Sequence, residues 1–365
     1  MFESRIKSLQ NELPSHEVDA LLITSSYNIA YLTGIHAFSI EEREARILIS
    51  KGNIYLFTDA RYTEMVKSKS PFVTLCEISA KNTMSKQLEE LFKKESIKQL
   101  GFEEENITYK EVCDLEEKFG TLEFIPTVDI VENARVVKDK EEAESIKKAC
   151  QLTDKAFEFI IKHLKPGVTE NEIKTQLENF IRLERGELAF SSIVAFGENS
   201  AIPHHLSSNS KLLASDIVLL DFGAKVDGFC SDMTRTVFVG KPYEKMHKIY
   251  QATLEAQEIA IDYLKTHMKE GFELKKAHEL ANSHLSKLGY PDIPHSLGHG
   301  VGLQVHEMPM VSPYSDEKLT PGMVITVEPG IYMAGLAGVR IEDTCLVTTV
   351  GLELLTKSQK QLTIV

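Results

Sequence analysis

The stretch DIVLLDFGAKVDGFCSDMTRTVFVG, Asp216–Gly240, reads as two strands, Ile217–Lys225 and Phe229–Val239, joined by the two-residue hairpin signal Asp227-Gly228. With those two residues as the turn, Val226 faces Phe229 and Gly223 faces Asp232. Side chains alternate along a strand, so Asp221 shares a face with Gly223 and becomes a diagonal neighbour of Asp232, about 7–8 Å away. Such spacing suits two carboxylates gripping a shared cation cluster better than two in contact. On this stretch alone a solvated hairpin that happens to be acidic accounts for the pattern equally well. Residues further along the chain decide between the two.

Composition narrows the field. A chain of 365 residues has a prior of two domains, and 42% hydrophobic with 26% charged residues is ordinary for a water-soluble fold. No run approaches the length of a membrane span, and the start MFESRIKSLQNEL has no apolar signal core. A cytoplasmic location is therefore expected. Five dispersed cysteines without CxxC spacing argue against a disulfide framework or a thiolate metal site. A net charge of −13 with no block of Lys and Arg argues against nucleic acid as a partner.

Residues 1–135 alternate short strands and helices. ALLIT reads as a buried strand followed by a polar loop, and ARILISKGNIYLFTDARY as a hairpin turning at Lys51–Asn53. FVTLCEI, QLGFEE and LEFIPT read as further strands, and Ser85–Lys94 and Tyr109–Phe119 as helices. No Gly-rich phosphate loop is present, so a nucleotide-binding domain drops out. A boundary falls near Pro126–Lys138, before a charged helix starting at Asp139. Residues 136–365 contain an echo: His163, Lys165 and Gly167 recur as His267, Lys269 and Gly271, each set between two helices. Such an echo predicts a duplicated α+β unit, largely antiparallel, with its site at the seam.

Three more stretches carry chemistry. PHSLGHGVGLQVHE, Pro294–Glu307, places His295, His299 and His306 among glycines that let backbone approach closely. TPGMVITVEPGIY, Thr320–Tyr332, ends an apolar strand in Glu328. In GVRIEDTCLV, Gly338–Val347, alternation puts Arg340 and Glu342 on one face, where a simple ion pair between them is the bland expectation. Asp221, Asp232, His299, Glu328 and Glu342 form an oxygen-dominated set suited to Mn²⁺ and able to take Co²⁺ or Zn²⁺. Four carboxylates are balanced by two divalent ions, with a bridging hydroxide as nucleophile.

In order and spacing, DFGAKVDGFCSDMTRT, HSLGHGVGLQVHE, VEPGIY and VRIEDT resemble the signature of the pita-bread metallopeptidases, which include methionine aminopeptidase, aminopeptidase P, prolidase and creatinase. The resemblance covers about residues 139–365, and SSYNIAYLTG and FTDARYTE look like the creatinase-type N-terminal domain. It implies an α+β pita-bread catalytic domain with an internal pseudo-two-fold duplication after a smaller α/β domain. It also implies that Asp232 and Glu342 bridge two metals, that Asp221 binds one of them, and that His299 and Glu328 complete the other. Glu328 would move the proton as general base and then acid.

The N-terminal domain and the Arg beside the bridging glutamate look like the proline-specific branch. There, His204, in NSAIPHH, and His306 would stabilise the oxyanion, and His295 and Arg340 would hold the proline side of the substrate. Tyr332 would support the site through its hydroxyl, with His205 a bystander. The implied function is hydrolysis between an N-terminal residue and a following proline, in short peptides, by a homodimer. Aminopeptidase P is slightly favoured over prolidase. The competing readings are a methionine aminopeptidase and a non-catalytic peptide-binding scaffold.

Overall fold

ALLIT becomes β1 (Ala20–Ile23), with all four residues buried. A strand covered on both faces shows no alternation, which is why the run reads as continuously apolar. The computed structural model describes residues 1–266 and 273–365, and the chain divides into two units, Met1–Arg135 and Val136–Val365. In the first unit β1 joins β2 (Ala45–Ser50), β3 (Ile54–Asp59), β4 (Thr74–Ile78), β5 (Gln99–Glu103) and β6 (Glu123–Thr127) in one sheet of order β4-β3-β2-β1-β5-β6. The hairpin at Lys51–Asn53 pairs β2 with β3 antiparallel, whereas β1 and β5 run parallel. Leu88 and Phe92 of the helix Met84–Lys94 pack into the core that holds Ala20, Leu22 and Phe57.

The expected polar loop after β1 is instead a helix, Ser26–Thr33, with Asn28 through Thr33 buried. A short helix covered all round lacks the 3.6-residue polar stripe that betrays a helix in sequence. Its one large buried polar group is satisfied internally: Asn28 Nδ2 donates to Glu103 Oε1 at 2.6 Å and its Oδ1 accepts from Arg135 at 2.7 Å.

The second unit starts with a helix, Lys140–Ile160, capped by Asp139 in a reciprocal box with Glu142. Such a cap is worth about 1 kcal/mol. A second helix, Glu170–Leu183, follows. Then come β7 (Glu187–Leu188), β8 (Ile193–Phe196), β9 (Ile217–Phe222), β10 (Ala224–Val226), β11 (Phe229–Cys230) and β12 (Met233–Phe238). The order then repeats: helix Glu244–Thr266, helix Leu274–Lys287, and β13 (Gly298–Gly300), β14 (Glu307–Val311), β15 (Val324–Val327), β16 (Gly330–Met333), β17 (Ala337–Arg340), β18 (Asp343–Thr348) and β19 (Gly351–Leu354). Of the echoed residues, His267, Lys269 and Gly271 lie outside the described residues. The paired strands of this unit are antiparallel. Among the described residues no helix is long and apolar enough to cross a membrane.

The Asp227-Gly228 hairpin forms in the expected register, Val226 facing Phe229 and Thr234 facing Asp221. Its two long strands nonetheless break in the middle. β10 and β11 belong to a sheet with β7, while β9 and β12 pair in another sheet with β8. The segment Gly338–Val347 is likewise divided, β17 pairing with β16 and β18 with β15 and β19.

Candidate active site

The carboxylates meet because the two halves of the unit are stitched along β12. Glu342 N donates to Thr234 O at 3.1 Å, and Thr236 Oγ1 donates to Arg340 O at 2.9 Å. Asp232 N donates to Thr344 Oγ1, which donates in turn to Asp232 O. The chain around Glu342 thus runs beside the strand that follows Asp232 and opposes Asp221. From the other side, Glu328 N donates to Leu297 O at 2.8 Å, which brings the end of β15 to the start of β13 and so to His299. A Cβ on Gly298 would lie 2.0 Å from Thr326 O, so only glycine allows that approach.

A cavity of about 300 Å³ opens over this seam, lined by Asp221, Asp232, His299, Glu328 and Glu342 together with His204, His295, His306 and Arg340. His299 Nε2 lies 3.2 Å from Glu328 Oε1 and 3.6 Å from Asp232 Oδ2. His299 Nδ1 is 3.0 Å from Gly300 O, to which it donates when Nε2 is left as the ligating atom. The His306 ring sits edge-on to His299 with centroids 4.3 Å apart. Arg340 pairs with Asp221 rather than with Glu342, so the bland Arg–Glu ion pair is replaced by a longer-range one.

Burial pushes the Asp232 and Glu342 carboxyls well above the ordinary carboxylate range, and neighbouring carboxylates add to the rise. Asp221 also moves up through burial, against the Arg340 guanidinium that pulls it down. Glu328 is the exception. Burial raises it most, but its hydrogen bond to His299 and the charges of His299, His295 and Arg340 together outweigh burial, and the net direction is down.

The Tyr332 hydroxyl lies between Arg340 and His295. Arg340 Nη1 donates to this hydroxyl at 2.7 Å, and the same oxygen lies 2.9 Å from His295 Nε2. His295 Nδ1 lies 2.8 Å from Ser296 O. Both ring nitrogens of His295 are therefore engaged within the protein. His205 turns away from the cavity to Glu170, 2.9 Å from its Oε2.

Sequence reasoning missed Thr234. Its hydroxyl donates to Glu342 Oε2 at 2.7 Å and accepts from Arg340 Nε at 3.0 Å, joining the two residues that alternation puts on one face. Only its place in TRT, two residues after Asp232, hinted at it. Thr234→Val is expected to lower kcat/KM by about 10–100-fold, the usual cost of losing a group that orients a ligand. Thr234→Ser, which keeps the hydroxyl, is expected to retain most activity in the same assay. Also unforeseen were the apolar walls, Phe190, Ile193, Val305 and Met310.

Donor chemistry fits divalent cations. Ligating atoms of Asp221, Asp232 and Glu342 lie within 4.8 Å of one another, as do those of His299, Glu328 and Glu342, and those of Asp232, His299 and His306. Asp232 Oδ1 and Glu342 Oε1 are buried without a hydrogen-bond partner. A buried anionic oxygen without a partner is costly, and a cation removes that cost.

Fold and cluster together define a metal-dependent hydrolase whose sequence carries a creatinase-type N-terminal domain followed by a pita-bread catalytic domain. The family model for metallopeptidase M24 matches residues 144–349, and that for the creatinase/prolidase N-terminal domain matches residues 5–137. The chain belongs to metallopeptidase family M24. A solved structure described as Xaa-Pro dipeptidase from Bacillus anthracis superposes with a TM-score of 0.93 at 36% identity, covering 100% of both chains. One described as X-Pro aminopeptidase from Thermotoga maritima superposes at 0.86 with 34% identity, covering 96% of this chain and 98% of that one. An Xaa-Pro dipeptidase of Pyrococcus horikoshii is 34% identical over 365 residues, 99% of each chain.

Proposed function

We propose that this protein is a dinuclear-metal exopeptidase that hydrolyses the bond between an N-terminal residue and proline, acting on dipeptides. The observation that carries the reading is the convergence of four carboxylates and one imidazole on one cavity, two of their oxygens buried without partners. Full-length similarity to Xaa-Pro dipeptidases supports the substrate class and shifts the balance from aminopeptidase P toward the dipeptide reading.

Asp221, Asp232, His299, Glu328 and Glu342 would hold two divalent ions, Asp232 and Glu342 bridging them. The oxygen-rich set favours Mn²⁺, with Co²⁺ or Zn²⁺ as substitutes. When bound, the ions supply a water-derived nucleophile at neutral pH and polarise the scissile carbonyl. Glu328 would accept the proton of the nucleophile and pass it to the departing proline nitrogen. His204 and His306 stand at the cavity with imidazoles that can donate to the developing oxyanion. Arg340 lines the cavity and, although its guanidinium already pairs with Asp221, would be the cation that faces the proline-side carboxylate. His295, its nitrogens already used, fixes the Tyr332 hydroxyl and through it Arg340. An Xaa-Pro bond lacks the amide hydrogen that general peptidases use, and the ring restricts φ, which a dedicated pocket answers.

The test compares release of proline from Ala-Pro with cleavage of Ala-Pro-Ala, with and without Mn²⁺. Ala-Pro is expected to be the better substrate, with Mn²⁺ raising its rate and chelation abolishing it. Preference for the tripeptide would make the enzyme an aminopeptidase P. Cleavage of Met-Ala peptides with Xaa-Pro untouched would make it a methionine aminopeptidase. An intact protein without divalent metal or Mn²⁺ response would be a scaffold.

A further inference from the structure

One buried acid in the catalytic unit takes no part in the chemistry above. Glu170, the first residue of the helix Glu170–Leu183, has no exposed surface. Its carboxylate accepts five hydrogen bonds, all from the segment 196–208. Oε1 accepts from Phe196 N at 2.8 Å and from Asn199 Nδ2 at 2.9 Å. Oε2 accepts from His205 Nε2 at 2.9 Å, Ser208 N at 2.8 Å and Ser208 Oγ at 2.7 Å. A helix N-terminus favours a carboxylate, yet here the acid is spent on a distant segment rather than on its own helix. Burial pushes the Glu170 carboxyl up, but the hydrogen bonds, led by that from His205, outweigh it and the net direction is down.

The far side of the segment is held as well. Ser200 is fully buried, and its Oγ accepts from Gly338 N at 2.8 Å. Gly338 belongs to β17, the strand that ends in Arg340. A Cβ at that glycine would lie 2.1 Å from Ser200 O, so only glycine lets the strand approach the segment this closely. Between the two clamps, Pro203 and His204 reach the cavity. His204 itself is exposed. A loop side chain in water loses conformational freedom when it is held over a reacting carbonyl, and the supporting contacts offset that loss in advance.

We propose that Glu170 and His205 are a positioning pair for the reaction: the buried carboxylate ties both ends and the middle of segment 196–208 together, and the His205 contact sets where the neighbouring His204 imidazole stands over the cavity. His205 is then no bystander. This inference rests on the reading that His204 contacts the scissile carbonyl, and the test separates the two.

Turnover of Ala-Pro is measured for the wild type, His204→Ala, His205→Ala and the double variant, each metal-loaded with its metal content verified. His205→Ala is expected to lower kcat on the order of ten- to a hundredfold, the cost of a reactive group misplaced by about 1 Å, with metal content unchanged. In the His204→Ala background it is expected to cost nothing further, because the two residues act through one group. His205→Gln, whose amide can still donate to Glu170, is expected to restore most of the rate. Wild-type turnover in His205→Ala, or losses that simply multiply in the double variant, would overturn the proposal. A fully active His204→Ala would instead remove the role of His204 on which it rests. Glu170→Gln, which turns an acceptor oxygen into a donor against the segment, is expected to lose more than His205→Ala. If that variant does not fold, the His205 cycle carries the test.

Discussion

Asp232→Asn is expected to reduce turnover at least about a hundredfold, because on the proposed reading Asp232 serves both ions, and losing it must cost no less than losing a group that merely orients a ligand. The substitution is nearly isosteric, and the backbone at this position is clamped on both sides by the Thr344 hydroxyl. Fold and register should therefore survive, and what changes is charge. Oδ1 of Asp232 is buried without a partner, and the carboxylates of Glu342 and Asp221 add to the rise in pKa that burial causes. An amide is a poor ligand for two ions at once, so metal content measured on the purified protein should fall together with activity. In metal-free protein the effect on stability runs the other way. Removing one of several crowded buried acids relieves repulsion and desolvation, so the metal-free variant should melt no lower than metal-free wild type. Wild-type turnover with a full complement of metal would falsify the bridging assignment.

Metal removal is expected to give the second large effect, and its pH dependence follows from the same crowding. The carboxyls of Asp232 and Glu342 have folded-state pKa values raised well above the ordinary range by burial. A raised value means that the folded chain holds those protons more tightly than the unfolded one. Their contribution to stability is therefore complete below the unfolded value near pH 4 and is lost as pH rises toward the raised folded values. Glu328 has a lowered value and opposes this trend only at the acid end, where its own contribution disappears as pH falls. Divalent cations bind the deprotonated site and reverse the balance. The gap in melting temperature between metal-loaded and chelated protein should consequently widen as pH rises above the ordinary carboxylate range. At metal concentrations about a thousandfold above Kd the gain is about 4 kcal/mol. For a unit of this size that corresponds to a Tm shift on the order of ten degrees. Scanning calorimetry of both forms as pH rises above that range provides the check, since groups outside the site act on both forms alike. A gap that stays constant with pH would contradict the charge balance at the site.

Local chemistry settled a large part of the molecule in advance. The Asp227-Gly228 turn fixes register over the whole hairpin, and Val226 opposite Phe229 carries through to Asp221 opposite Thr234 even though the strands split between two sheets. A two-residue turn leaves no freedom to slip, because a one-residue shift would turn every apolar side chain to the wrong face. Alternation likewise placed Arg340 and Glu342 together while Val339, Ile341 and Cys345 went to the core. Asp221 and Glu328 were legible because each ends an apolar run, where a polar group needs a reason, and His295, His299 and His306 because they cluster among glycines.

Tertiary structure alone decided which groups those residues touch. Asp221 rather than Glu342 became the partner of Arg340, and Thr234 became the joint between Arg340 and Glu342. Glu170 reaches across to His205 and Ser208. The buried helix Ser26–Thr33 showed no stripe to read, since it is covered on every side. These outcomes depend on how separate sheets and helices pack, and contacts between residues far apart in the chain leave no periodic trace in either segment. Sequence by itself therefore determined the register and the faces, and singled out the acidic and imidazole groups that meet at the cavity. Packing determined the pairings among them, because hydrogen bonds and ion pairs in a buried site go to whichever partner the folded backbone brings within about 3 Å.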